Sequence, residues 1–129
     1  MKSTVMLVED SEQNRYLATY LLERRGYRVV AVHDGPSAID VAMREPPDII
    51  LLDIQLPTMD GHAVARALRC IPTLDRVPII AVTSYAMVGD REKAVAAGCN
   101  GYLEKPIDPE HFVTQIEEVP RPTARGTGE

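Results

Sequence analysis

Four runs of large aliphatic residues punctuate the chain: TVMLV at 4–8, VVAV at 29–32, IILL at 49–52 and IIAV at 79–82, with a weaker fifth, NGYL, at 100–103. None alternates apolar with polar positions, which is the pattern of strands covered on both faces. Between the runs, apolar residues recur at helical spacing. Leu17, Ala18, Leu21 and Leu22 share one face, Ala38, Ile39, Ala42 and Met43 a second, and Val64, Ala67, Leu68 and Ile71 a third. Ser11 is placed to N-cap the first helix and Gly26 to end it. Pro36 suits the first turn of the second helix, and Glu45-Pro46-Pro47 stops it. Asp108 followed by Pro109 reads as the N-cap and first position of a last helix, with Phe112, Ile116 and Val119 facing inward. Residues 87–97, which include Gly89 and few large apolar side chains, carry the faintest helical signal.

Five β-α units in alternation predict a parallel sheet with helices on both faces. For five strands the expected architecture is a flavodoxin-like (βα)5 three-layer sandwich, sheet order 2-1-3-4-5. Its crevice lies between the first and third strands, at their carboxyl ends. One domain is expected over residues 1–119. The remaining PRPTARGTGE, 120–129, is expected to be a flexible tail.

Composition narrows the classes. With 129 residues, 45% hydrophobic and 26% charged, the chain is long enough for one full core and too apolar for wholesale disorder. A net charge of -5 speaks against a general binder of nucleic acid or anionic membrane. No apolar run approaches the ~20 residues of a membrane span, and no signal peptide begins at Met1. Cys70 and Cys99 stand alone, without metal-like spacing, and read as small packing groups. A soluble cytoplasmic protein is the expectation. His33, His62 and His111 do not cluster and read as surface residues. Arg24 and Arg25 read as a solvated helix end.

The chemistry concentrates where strands end. The first run delivers Glu9 and Asp10, the third Asp53, the fourth Thr83 and Ser84, and the fifth Glu104 and Lys105. A parallel sheet brings all of these to one edge. Three carboxylates at the crevice cannot all stay ionised cheaply without a cation. A hard divalent ion with oxygen ligands, Mg²⁺, suits them better than zinc. Asp53 can then attack a phosphoryl group in line and become an acyl phosphate, with Lys105 and Thr83 on the remaining phosphoryl oxygens.

The motifs VEDSEQN, LLDIQLPTMDG, AVTSYAMVGD and GYLEKPI, in this order and each at a strand end, closely resemble the receiver domain of bacterial two-component response regulators. The resemblance covers residues 4–118 and substitutes no required position. It implies that Asp53 accepts phosphate from a phosphohistidine donor, supplied by a histidine kinase or histidine phosphotransferase. It implies Mg²⁺ held by Glu9, Asp10, Asp53 and the backbone carbonyl of Gln55. Thr83 and Lys105 then contact the phosphate, and Tyr102 is the aromatic switch coupled to Thr83. A cis Lys105–Pro106 bond is expected, because the loop must turn sharply to aim Lys105 at the crevice.

Within the family the sequence is most similar to stand-alone receivers of the DivK and CheY type, or to receiver modules of hybrid histidine kinases. About ten residues follow the last helix, so no output domain is expected in this chain. The signal is expected to leave through the face of the fourth helix, fifth strand and fifth helix, toward a protein target, from a monomer or weak dimer. Gln55 and Tyr85 flank the path of hydrolytic water. A phosphatase of the aspartyl-phosphate kind is the competing class. It wants a second Asp two residues after the nucleophile, where this chain has Gln55. A nucleotide-binding module lacks its glycine-rich loop here. A self-phosphorylating signalling module, not a turnover enzyme, is the expectation.

Overall fold

The computed structural model describes residues 3–56, 59–84 and 87–122. Pro57, Tyr85 and tail residues 123–129 lie outside them. Five strands alternate with five helices: β1 (Thr4–Val8), α1 (Glu12–Arg24), β2 (Arg28–Val32), α2 (Gly35–Arg44), β3 (Ile49–Asp53), α3 (Gly61–Arg69), β4 (Ile79–Thr83), α4 (Asp90–Ala96), β5 (Gly101–Glu104) and α5 (Phe112–Glu117). All pairings are parallel, in the order β2-β1-β3-β4-β5, as the alternation predicts.

The sheet separates two cores. One lies under α2, α3 and α4 and contains Met6, Ile50, Leu52, Val64, Leu68 and Ile79; the other lies under α1 and α5 and contains Val5, Leu22, Leu51, Ile80, Phe112 and Ile116. β3 and β4 are buried at every position, the consequence of central strands covered twice. β2 is different. It is an edge strand with exposed Arg28 and Ala31, so its apolar run does not signify full burial.

The caps explain most boundaries. Ser11 accepts from the Asn14 N–H at 3.3 Å to start α1, and Gly26 beyond its end takes φ 102°, a left-handed conformation that glycine adopts without a Cβ clash. Asp34 caps α2 through the Ser37 N–H at 2.8 Å. Four details differ from expectation. Met43 is 61% exposed, while Ala38 and Ala42 are buried and Ile39 and Val41 pack partly buried against the core. α3 stops at Arg69, and Ile71, still packed against the core, leads into a short 3-10 turn at Pro72–Leu74, whose Leu74 is fully buried. Cys70 is exposed, whereas Cys99 is buried as a packing group. Asp108 opens a turn through bonds from the His111 and Phe112 N–H groups to its carbonyl, and regular α5 begins only at Phe112. Arg25 is also more than a solvated end. It bonds Glu117 at 2.6 Å, which joins α1 to α5 together with the Tyr27 hydroxyl at 2.7 Å.

The Lys105–Pro106 bond is cis. No helix among the described residues is long and apolar enough to cross a membrane.

Candidate phospho-acceptor site

Parallel register brings the strand ends together. Val8 lies beside Leu52, Asp53 beside Val82, and Thr83 beside Glu104. Three backbone bonds extend the ladders past the strands and fix the loops at their start: Glu9 N–H to the Val32 carbonyl at 3.0 Å, Ile54 N–H to Val82 at 2.9 Å, and Lys105 N–H to Thr83 at 2.7 Å. The β3–α3 loop folds back tightly. The Gly61 N–H reaches the Ile54 carbonyl at 3.1 Å, and a Cβ on Gly61 would stand 2.4 Å from the Ile54 Cα.

Asp53, which ends a strand buried throughout, is therefore not alone. Its Oδ2 lies 3.2 Å from the Lys105 Nζ, which also meets Glu9 Oε1 at 2.8 Å. The Gln55 N–H donates to Asp53 Oδ1 at 2.8 Å, and the Ser11 N–H to Glu9 Oε2 at 3.1 Å. Asp53 and Glu9 are buried, while Asp10 stands exposed at the mouth. Beneath them Leu51, Val82, Ile107 and Phe112 form an apolar floor. Burial there, then the charge of Glu9, push the Asp53 carboxyl from 3.8 up to about 6, against the opposing pull of the Gln55 N–H and Lys105. Burial works to lower the Lys105 pKa, but its bond to Glu9 and the charges of both carboxylates outweigh this and raise it.

Carboxylate oxygens of Glu9, Asp10 and Asp53 all lie within 4.8 Å of one another. An all-oxygen set of this charge fits a hard divalent cation such as Mg²⁺, and offers nothing that favours zinc.

The remaining candidates divide. The Thr83 hydroxyl, buried at the end of β4, accepts from Gln55 Nε2 at 2.5 Å. Tyr102 packs on the core beneath α4, its ring covered by the Arg91 guanidinium at 5.1 Å. Its hydroxyl is buried and has no hydrogen-bond partner among the described residues. Two participants were not legible as such. Arg15 Nη1 donates to the carbonyls of Glu9 and Asp10 at 2.9 and 3.0 Å, fixing the acidic turn from α1. The Gln55 side chain, expected only to flank the path of hydrolytic water, bridges to Thr83 and Ser84. Spacing gives a signal for Arg15 alone: position 15 on a helix capped by Ser11 reaches back over the preceding turn.

An open parallel α/β sheet with a basic-flanked carboxylate pocket at its topological switch point defines a class of modules that carry charged groups at that edge. The model of the response regulator receiver domain matches residues 5–117. The chain belongs to this family. The polar-differentiation response regulator DivK of Brucella anthropi is 41% identical over 117 residues, covering 91% of this chain and 95% of that protein, and DivK of Brucella ovis gives the same figures. Among solved structures, the receiver domain of a sensor histidine kinase from Pseudomonas aeruginosa PAO1, with a magnesium ion coordinated in its active-site cleft, superposes with a TM-score of 0.84 at 38% identity, covering 92% of this chain and 98% of that one. The chemotaxis protein CheY4 of Vibrio cholerae superposes with a TM-score of 0.88 at 28% identity, covering 93% and 100%. Receivers are signalling modules rather than typical turnover enzymes.

Proposed function

We propose that this receiver accepts a phosphoryl group on Asp53 from a phosphohistidine of a histidine kinase or histidine phosphotransferase, and passes the signal to a protein partner. The observation that carries this reading is the pairing of a buried Asp53 with Lys105 at 3.2 Å beside Glu9 and Asp10. In the transfer, the phosphorus–nitrogen bond of the donor breaks as a bond forms from an Asp53 carboxylate oxygen. The departing imidazole takes up a proton. Asp53 is oriented for attack by the Gln55 N–H on Oδ1, which leaves Oδ2 on the Lys105 side. Lys105 neutralises charge on the incoming phosphoryl oxygens, and the Thr83 hydroxyl donates to another. Glu9, Asp10, Asp53 and the Gln55 carbonyl would hold Mg²⁺, whose positive charge offsets repulsion between the carboxylates and the phosphoryl group.

The output reading rests on Thr83 and Tyr102. Movement of Thr83 toward the phosphoryl group frees space that Tyr102 senses, and α4, β5 and α5 present the change to the partner. Exposed Met87, Val88 and Val95 beside α4 supply apolar surface for that contact. Acetyl phosphate labelling tests the chemistry. The expected result is a stable, hydroxylamine-sensitive acyl phosphate on Asp53 that excess chelator prevents, with no turnover of an external phosphoester. Turnover of such an ester without self-labelling would establish the phosphatase class instead.

A further inference from the structure

We infer that the Gln55 side chain is a latch that holds Thr83 in its unphosphorylated position. This rests on the reading of Thr83 as the phosphate-sensing residue, and adds the group that opposes its movement. Gln55 reaches three points. Its N–H fixes Asp53 Oδ1 at 2.8 Å, its Nε2 donates to the Thr83 hydroxyl at 2.5 Å, and its Oε1 accepts from the Ser84 N–H at 2.9 Å. Both ends of one carboxamide are thus spent on the last residue of β4 and the one that follows it, while the backbone of the same residue is tied to the phospho-acceptor.

The backbone of Gln55 is held at Asp53, so the reach of its side chain sets where Thr83 and Ser84 sit. On this inference, movement of Thr83 toward a group on Asp53 breaks the bond to Nε2 and draws the Ser84 N–H away from Oε1. Each such bond contributes to the resting position on the scale of a net intramolecular hydrogen bond. The two bonds together then bias the two-state equilibrium toward the resting position by roughly 5- to 30-fold. Gln55 acts through Thr83 and is a positioning residue.

The test is a double-mutant cycle read by NMR and by affinity for beryllofluoride in the presence of Mg²⁺, using wild type, Gln55→Leu, Thr83→Val and the double variant. Leucine keeps the bulk of the side chain and removes both its donor and its acceptor. Valine at 83 keeps the shape of threonine and removes the hydroxyl. The expected result is that Gln55→Leu tightens beryllofluoride binding by roughly 5- to 30-fold. Its free-state Ser84 amide resonance should also move toward the beryllofluoride-bound position of wild type. Both effects should shrink in the Thr83→Val background, where the Nε2–hydroxyl bond is already absent and only the Ser84 N–H bond remains to be lost. Equal effects of Gln55→Leu in both backgrounds would show that Gln55 acts on the pocket directly and overturn the latch, as would no effect in either. Failure of wild type to bind beryllofluoride would strike the phospho-acceptor reading itself, an outcome distinct from the other two.

Discussion

Replacing Asp53 by asparagine removes one charge while keeping the shape of the side chain. The substitution is expected to stabilise the protein at neutral pH. Burial and Glu9 raise the Asp53 carboxyl from 3.8 to about 6, so the folded protein binds this proton more tightly than the unfolded chain does. The sign follows directly: wild-type stability falls as pH rises from near the unfolded value through about 6, and is level above it. At 1.36 kcal/mol per pH unit the ionised form is disfavoured by about 3 kcal/mol. The exposed mouth at Asp10 admits solvent, and screening reduces this to about 1–2 kcal/mol. Asparagine has no such titration. Urea unfolding without divalent cations, at pH values below 4.5 and above 7, should therefore show Asp53→Asn gaining on wild type by about 1–2 kcal/mol across that range, or about 1 M in midpoint. Adding Mg²⁺ should narrow the gap, because it binds the wild-type carboxylates in the folded state. A difference independent of pH would refute the reasoning.

Lys105→Met leaves Glu9 and Asp53 buried without their shared cation and should cost about 3 kcal/mol at neutral pH, less in acid, by the same unfolding assay. Gly61→Ala places a Cβ against the Ile54 backbone, which cannot yield as a side chain tip would; a loss of about 1–3 kcal/mol is expected in thermal or urea unfolding. Thr83→Ala should leave Asp53 phosphorylatable yet blunt the gain in partner affinity that beryllofluoride produces in wild type. Equal gains in both proteins, measured by calorimetry, would remove Thr83 from the relay.

The parallel sheet was legible because non-alternating apolar runs alternate with helical patterns, and its order because 2-1-3-4-5 is the common arrangement of five such units, although the apolar run of β2 turned out to lie at an exposed edge. The site followed from it: parallel topology alone sends Glu9, Asp53, Thr83 and Lys105 to one edge. Met43 and the end of α3 misled for a shared reason. Helical periodicity marks a face but not how deep it packs, nor where a competing turn such as Pro72–Leu74 takes over. Asp108 was read as an immediate N-cap, while the local turn closed by its carbonyl delays α5 to Phe112. The Gln55 bridge could not be read at all, because a long polar side chain has no preferred partner until the fold sets Thr83 and Ser84 within its reach.

The central claim is that Asp53 receives the phosphoryl group, and transfer from a purified, radiolabelled phosphohistidine protein tests it most directly. With Mg²⁺ present, label should pass to wild type, map to the peptide carrying Asp53 and be released by hydroxylamine. It should not pass to Asp53→Asn. Label that reaches the asparagine variant at the wild-type rate, or maps to a residue other than Asp53, would contradict it.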